Sequence, residues 1–303
     1  MTEPKPSTES FETVTFEATD GVQLEGTLYV PEAPRAALLV NSGTGIPRRF
    51  YGRFARAAAD RGFAALTFDY RGIGGSAPAS LRGYAARYRD WGQLDIPGAI
   101  DWLGARFDGL PLFALGHSTG GQQLGLASNV DRLRAAVFVA VSTGYWRGMP
   151  WAYGLFTLAL WRAWLPVASR VYGRAPLGKL RFGEDLPVGV VREWAAWCLE
   201  PQYMAAYFDD GGHRRSPDGG AFGPTYFDRA RFPIRAYYFT DDRISTPDNV
   251  PAMLSLYRDA TVESLWIEPR QLGVGKVGHL GFFRSDIGAP LWDDAIEWLV
   301  AWL

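Results

Sequence analysis

The stretch that decides the fold is residues 112–126, LFALGHSTGGQQLGL. It combines an apolar run, a tight turn that carries Ser118, and a continuation with helical character. Gly116 and Gly120, two residues before and after the serine, leave room for a sharp, strained turn between a strand and a helix. Such a turn exposes the serine hydroxyl, and the N–H groups that begin the helix favour a developing negative charge nearby. The stretch therefore predicts a nucleophilic serine at the end of a strand.

A nucleophilic serine needs a base, and the chain has only three histidines: His117, His213 and His279. In chains with this kind of turn, the acid and then the histidine follow the serine in sequence. His117 is adjacent to Ser118 and is expected to point away from it, and His213 lies in a polar loop before any suitable acid. His279 is therefore predicted to be the base.

The acid is expected just beyond a strand. Residues 234–240, IRAYYFT, are rich in β-branched and aromatic side chains and lead directly into Asp241 and Asp242. Either carboxylate could accept a hydrogen bond from the imidazole Nδ1–H and so fix the tautomer of His279. We favour Asp242, because it follows the strand by two residues and precedes a turn proline. Asp241 would then be a capping or solvated carboxylate.

The rest of the chain alternates between strand and helix patterns. Strands are predicted at residues 12–18, 22–30, 36–40, 64–68 and 135–141, and helices at 50–61, 94–107, 120–129 and 291–303. Continuous apolar strands separated by helices predict an α/β fold, with a mostly parallel central sheet covered by helices on both faces. In such sheets the ligand site lies beyond the carboxyl ends of the strands, where Ser118 and Asp242 fall.

The alternation stops between residues 144 and 233, where the sequence has a helical period and no buried strand signal. We predict a core of residues 11–144 and 233–303, a helical cap of residues 145–232, and a disordered tail of residues 1–10. The cap sits before the acid-bearing strand and would cover the site.

The predicted cap is rich in aromatic residues, and Trp146, Trp151 and Phe156 are candidates to line a substrate pocket. The uncharged stretch 148–161 is too short to span a bilayer. We expect it to be a buried cap helix rather than a lid that touches lipid.

Composition and charge exclude several other classes of function. The formal net charge of −1 gives no long-range attraction for nucleic acid, which argues against a nucleic-acid-binding protein. A single cysteine, Cys198, excludes an intramolecular disulfide and a cysteine-based zinc site, and neither a metal nor a cofactor is expected. The first residues lack the apolar segment of a secretory signal, so we expect a cytoplasmic protein without stable membrane insertion. Homodimer formation is left open.

Two further motifs make the chain resemble the α/β-hydrolase superfamily. Residues 69–76, DYRGIGGS, are similar to the Asp-x-Arg-Gly-x-Gly-x-Ser loop that follows the fourth strand of that family. Residues 40–45, VNSGTG, occupy the place of its His-Gly-x-Gly segment, with Ser42 where histidine is usual. That departure bears on loop packing more than on chemistry. The resemblance implies that the backbone N–H groups of Thr44 and Thr119 form an oxyanion hole.

The resemblance extends from about residue 10 to the C-terminus outside the cap. It is greatest to the serine-hydrolase branch of esterases, monoacylglycerol-type lipases and serine aminopeptidase-like proteins, including bacterial predicted hydrolases that end in a His-x-Gly-Phe-Phe motif like residues 279–283. It implies a serine hydrolase of the carboxylesterase class, EC 3.1.1, with a Ser118–His279–Asp242 triad and a small-molecule ester with an apolar moiety as substrate. Thioesterase, amidase and peptidase activity remain open, and a non-catalytic ligand-binding protein is the alternative from another class.

Overall fold

The computed structural model describes residues 10–180, 183–209 and 214–303. The predicted tail lies outside the described residues except for Ser10, which begins the first strand, and His213 also lies outside them. The strands are β1 (Ser10–Glu17), β2 (Gln23–Val30), β3 (Ala36–Asn41), β4 (Phe63–Phe68), β5 (Leu112–His117), β6 (Leu133–Val139), β7 (Ile234–Phe239) and β8 (Val262–Ile267). The helices are α1 (Gly52–Asp60), α2 (Ile96–Arg106), α3 (Thr119–Gln122), α4 (Trp151–Ala159), α5 (Leu165–Tyr172), α6 (Val188–Leu199), α7 (Asn249–Leu254) and α8 (Ser285–Val300).

Within the described residues, the eight strands form one sheet in the order β1-β2-β4-β3-β5-β6-β7-β8. β2 runs antiparallel to β1 and β4, and every other neighbouring pair is parallel. This confirms the predicted mostly parallel sheet. Because parallel strands end at the same edge, the loops that follow β3, β5, β7 and β8 meet there.

The central strands are buried on both faces, as their continuous apolar sequences predict. Along β5, for example, Leu112 and Ala114 pack into one core cluster, and Phe113 and Leu115 pack into the other. α1 and α8 cover one face of the sheet, whereas α2 packs on the opposite face. The sheet thus forms a rigid frame for the loops at its carboxyl edge.

The connection from β6 to β7 contains α4, α5 and α6. A π-helical turn, Leu160–Trp164, joins α4 to α5, so one helix continues from Trp151 to Tyr172. α6 is attached to the core through Glu193, which accepts a hydrogen bond from the Arg89 N–H at 2.9 Å and forms a buried ion pair with its guanidinium. The division into core and cap at residues 145 and 232 stays a prediction. In the described part of the chain, no helix is both long and apolar enough to cross a membrane.

Some predicted elements differ in extent from those of the structure. The helix predicted at residues 120–129 ends as α3 at Gln122, and a 3-10 turn follows. Three glycines in this stretch disfavour a helix, and the N–H of Gly125 donates to the hydroxyl of Tyr257 at 2.9 Å rather than to a helical carbonyl. α8 begins six residues earlier than predicted. No strand is predicted for β8, whose residues are all exposed or half-buried and lack the continuous apolar pattern of the central strands.

Candidate active site

Ser118 lies at the turn between β5 and α3, in a backbone conformation that L-residues rarely adopt. Its φ is 50° and its ψ is −115°, a conformation whose strain typically costs about 1–3 kcal/mol. The Ser118 N–H donates to the carbonyl of Val139 at 2.9 Å, which holds the turn against β6. A Cβ on Gly116 would lie 2.5 Å from the Cα of Gly121, and one on Gly120 would collide with the Asn41 carbonyl. The flanking glycines are therefore required by close backbone packing.

His279 and Asp242 are hydrogen-bonded, with 2.7 Å between Nδ1 and Oδ2. Asp242 lies just beyond β7 and is buried, and its other oxygen accepts the Ile244 N–H at 2.8 Å. Burial raises the pKa of Asp242, but the nearby His279 and the hydrogen bonds it receives outweigh burial and lower the pKa below its usual value. The carboxylate is therefore ionised at neutral pH and orients the imidazole with its proton on Nδ1.

Asp241 has a different role from Asp242. Its carboxylate accepts the backbone N–H of Val277 at 2.9 Å and that of Gly278 at 2.9 Å. Gly278 has a φ of 61°, so the loop turns sharply just before His279. Asp241 thus fixes the backbone that carries the histidine, while Asp242 fixes its ring.

Ser118, His279 and Thr44 line one cavity of about 410 Å³. No hydrogen bond joins the Ser118 hydroxyl to the His279 ring, both of which are described. Catalytic hydrogen bonds are often long in a site without substrate and shorten when substrate binds. Most of the cavity wall is apolar and includes Ile46, Pro47, Phe50, Met149, Phe156, Leu160, Trp161, Leu177, Trp194, Ile244 and Leu280.

The backbone N–H groups of Thr44 and Thr119 are without a protein acceptor in the described part of the chain. The Thr119 N–H is free because Thr119 begins α3, where N–H groups have no helical partner. The side chains of both threonines hydrogen-bond to the hydroxyl of the buried Tyr88. The Tyr88 oxygen lies 2.5 Å from Thr44 Oγ1 and is also within hydrogen-bonding distance of Thr119 Oγ1. The two candidate oxyanion donors are therefore joined through Tyr88.

The proton positions in this network follow from Gln122. Its Nε2 donates to the Ser142 carbonyl at 2.6 Å, so its Oε1 is left to accept from Thr119 Oγ1 and from Tyr203 OH, each at 3.1 Å. Since Thr119 donates its only hydroxyl proton to Gln122, Tyr88 donates to Thr119 and Thr44 donates to Tyr88. Burial raises the pKa of Tyr88, so its hydroxyl keeps the proton that this arrangement needs.

A second buried network connects His117 to the site loops. His117 Nε2 lies 2.9 Å from the backbone oxygen of His279 and so donates to it. His117 Nδ1 then accepts from the Tyr51 hydroxyl at 2.8 Å, and the Tyr51 oxygen accepts the Gly43 N–H at 2.7 Å. Burial, assisted by the proximity of His279, lowers the pKa of His117 to about 3, so this ring is neutral.

Of the three aromatic residues predicted to line the pocket, only one lies at the cavity. Phe156 lines the cavity, but Trp146 and Trp151 are not among its lining residues, which corrects that prediction. Trp151 is 80% exposed, on the outward side of α4, and Trp146 lies beneath the guanidinium of Arg147, 5.0 Å from its ring centre. The cap tryptophans at the cavity are instead Trp161 and Trp194.

The network residues Tyr88, Tyr51 and Gln122 were missed by sequence reasoning. Tyr88 lies in a loop without regular periodicity, 44 residues from Thr44 and 31 from Thr119, so no local pattern connects them. Gln122 lies four residues after Ser118 in α3, and this closeness in sequence was the one signal that could have identified Gln122 as a residue of the site. Among the described residues, no group of three or more His, Cys, Asp or Glu side chains is arranged to hold a metal ion.

The fold matches that of known hydrolases. A search of curated proteins finds no match to this chain. Among solved structures, a soluble variant of the monoglyceride lipase of Saccharomyces cerevisiae in complex with a substrate analogue has a TM-score of 0.63 at 16% identity, covering 98% of this chain and 97% of the lipase. The Pyrococcus furiosus esterase Pf2001 has a TM-score of 0.61 at 15% identity, covering 99% of this chain and 94% of the esterase.

A thermostable carboxyl esterase of Bacillus coagulans has a TM-score of 0.60 at 15% identity, covering 96% of this chain and 98% of the esterase. At these identities the similarity shows the fold alone, and it confirms the predicted α/β-hydrolase fold. The family model described as serine aminopeptidase, S33, matches residues 32–186, which is more than half of the chain. The chain therefore belongs to this family, Hydrolase_4, of the α/β-hydrolase superfamily.

Proposed function

We propose that the protein is a serine hydrolase that cleaves a carboxylic ester with an apolar moiety. The observation that carries the proposal is the hydrogen bond of 2.7 Å between His279 and the buried Asp242, in an apolar cavity that Ser118 also lines. A nucleophile, a base and an acid that orients the base are what acyl transfer through serine requires. The family match and the esterases and lipase of the same fold support a hydrolase of this type.

In the proposed mechanism, the Ser118 oxygen attacks the ester carbonyl while His279 Nε2 takes the hydroxyl proton. Asp242 keeps the proton of Nδ1 in place and stabilises the imidazolium. As the tetrahedral intermediate collapses, the carbon–oxygen bond to the alcohol breaks and His279 returns the proton to that oxygen. Water then attacks the acyl-enzyme with His279 again as base, which releases the acid and restores Ser118.

The oxyanion of each tetrahedral intermediate would be bound by the N–H groups of Thr44 and Thr119. Their lack of a protein acceptor supports this assignment, because an oxyanion hole needs donors that are free before the reaction. A donor of this kind is worth about 3 kcal/mol of transition-state stabilisation. We assign Tyr88 as a positioning residue that holds the two donors through their side chains.

The substrate class follows from the cavity. Its wall is apolar apart from a few polar groups near Ser118, which is typical of a pocket that takes an apolar ligand. We propose that residues 145–232 act as a cap over it, since Met149, Leu160 and Trp194 from this segment face the same cavity as Ser118. An apolar acyl or alkyl group would lie between this cap and the core.

The test is a series of initial rates on p-nitrophenyl esters from acetate to palmitate, with Ser118→Ala as the control. Turnover that needs Ser118 and His279 is expected, with a preference for chains longer than acetate. Turnover that survives Ser118→Ala or His279→Ala would refute the mechanism. Serine-dependent cleavage of thioesters or amides without ester cleavage would keep the triad and change the substrate class. A folded protein that no covalent serine probe labels would point to a binding protein.

A further inference from the structure

One side of the continuous helix from Trp151 to Tyr172 is exposed, although a buried cap helix is predicted for residues 148–161. We call the exposed positions of this helix the outer cap face. Trp151 is 80% exposed, and Val167 and Val171 are each 64% exposed. Other large apolar members of this face are Leu155, Phe156 and Tyr172. Exposed apolar side chains are ordinary when scattered, but a continuous stripe of them marks a surface that meets a partner or a membrane.

The exposed positions lie along one side of the helix. They recur at residues 151–152, 155–156, 159, 162–163, 166–167 and 170–172, a repeat of three to four residues that matches the helical period and so follows one side. A helix of this length extends for about 30 Å. Acidic residues are absent from the outer cap face, and its only charged members are Arg162 and Arg170. The face is therefore both apolar and basic.

Positive charge is concentrated in this part of the chain. Residues 145–183 contain six basic residues and no acidic residue. Because the whole chain holds 31 basic and 32 acidic residues, the remainder holds 25 basic and 32 acidic. Within the described residues, neither Arg162 nor Arg170 forms an ion pair, although the cap residue Arg174 pairs with Asp185 at 2.5 Å. The two arginines on the outer cap face are thus available to an anionic partner.

We propose that the outer cap face binds an anionic lipid surface, with its apolar side chains in the interface and its arginines at the lipid headgroups. A helix that is apolar on one side and carries basic but no acidic residues there suits this position. A second copy of the chain fits less well, because a symmetric dimer through this face would bring like-charged arginines together.

The outer cap face also borders the active-site cavity. Phe156 and Leu160 line both that cavity and a shallow groove on the outward side of the helix. A lipid surface bound to the face would therefore lie beside the wall of the cavity that Ser118 also lines. Lipid binding itself goes beyond the proposed function and does not depend on it, since it needs no bond cleavage.

The test is co-sedimentation of the full chain with vesicles of phosphatidylcholine alone or mixed with phosphatidylglycerol, in a Ser118→Ala background so that no lipid is consumed. We expect binding to the phosphatidylglycerol vesicles that weakens with salt. Arg162→Gln with Arg170→Gln should lower the partition coefficient about 25-fold, at about fivefold per charge. Exposed arginines outside the cap that form no ion pair among the described residues, Arg134→Gln with Arg258→Gln, are the matched control and should change it less than twofold.

A second pair of variants tests the apolar contribution. Val167→Ser with Val171→Ser should lower the partition coefficient at least about tenfold, whereas Phe11→Ser, at a residue 58% exposed on β1, should leave it unchanged. Equal binding to both kinds of vesicle, or equal losses in the controls, would overturn the proposal. The proposal would also be overturned if the chain with an unaltered outer cap face forms a dimer and does not bind vesicles, and Val167→Ser with Val171→Ser abolishes that dimer. Turnover of a short p-nitrophenyl ester by the same variants with Ser118 restored tests the proposed function separately.

Discussion

Replacing Tyr88 by phenylalanine removes one hydroxyl from the site and leaves the rest of the side chain. The ring packs against Trp91 and Trp197, with 5.0 and 4.9 Å between ring centres, and phenylalanine keeps both contacts. The hydroxyl joins Thr44 to Thr119 through the two hydrogen bonds described above. Its loss leaves Thr44 Oγ1 without its acceptor and Thr119 Oγ1 without its donor.

Two effects of Tyr88→Phe can be estimated from these contacts. Loss of two hydrogen bonds at about 1 kcal/mol each should lower the free energy of unfolding by about 1–2 kcal/mol. Full loss of one oxyanion donor costs about 10²–10³ in kcat. Because Tyr88→Phe loosens the two donors without removing either N–H group, we expect a fall of about 10–100-fold in kcat, with KM nearly unchanged.

The assay compares kcat and KM of Tyr88→Phe with those of Tyr203→Phe on the best p-nitrophenyl ester. Tyr203 is an equally buried tyrosine of the same network, whose hydroxyl donates to Gln122 and makes no hydrogen bond with Thr44 or Thr119. Both variants should lose similar stability in urea unfolding, but only Tyr88→Phe should lose kcat. An unchanged kcat in Tyr88→Phe, or an equal loss in Tyr203→Phe, would refute the assignment of Tyr88 as the residue that positions the oxyanion hole.

Four further substitutions test other parts of the site. Asp242→Asn should lower kcat about 10⁴-fold, because an amide favours the wrong tautomer of His279; steady-state rates measure this. Asp241→Asn should instead lower the free energy of unfolding by about 1.5–3 kcal/mol, because one backbone N–H of the loop that carries His279 loses a charged acceptor. A loss of kcat as large as that of Asp242→Asn would contradict the different roles assigned to the two aspartates. The pKa of His117 in the folded protein, about 3, lies below its unfolded value of about 6.5, so below about pH 6.5 the unfolded state binds a proton that the folded state does not, and stability falls as the pH is lowered. In urea unfolding, the wild type should therefore lose about 2 kcal/mol more stability than His117→Asn between pH 7.5 and pH 5. Equal losses would show that His117 is not held neutral. Gly120→Ala should cost about 1–3 kcal/mol because its methyl meets the Asn41 carbonyl, and an unchanged Tm would refute that contact.

The sheet could be predicted from the sequence because its central strands are buried on both faces. A strand such as β5 is then apolar over most of its length, from Leu112 to Leu115, which leaves a continuous signal in the sequence. β8 was missed for the opposite reason, since it lies at the edge of the sheet and all of its residues are exposed or half-buried. The candidate nucleophile, acid and base could be picked out from the sequence because each directly follows or is flanked by a recognisable local pattern; they are Ser118, Asp242 and His279.

The remaining features depend on contacts between distant residues or on which side of a helix is covered. Tyr88 reaches Thr44 and Thr119 only once the sheet has brought three loops together. Trp151 and Phe156 are both aromatic and lie on the same helix, and sequence alone cannot tell that Phe156 lines the cavity whereas Trp151 does not. An apolar helix flanked by a cavity on one side and solvent on the other has no polar face to reveal its orientation.

The departure at Ser42 from the usual histidine can be understood from these contacts. The Ser42 hydroxyl donates to the Phe68 carbonyl at 3.3 Å, and the next residue, Gly43, donates its N–H to Tyr51. A Cβ on Gly43 would lie 2.8 Å from His117 Nδ1, so the loop packs directly on that ring. Since Tyr51 holds Gly43 and Tyr88 holds Thr44, the loop is fixed at both residues without a histidine at position 42. We infer that the two tyrosines together supply the rigidity that free oxyanion donors need, and that the substitution changes packing rather than chemistry.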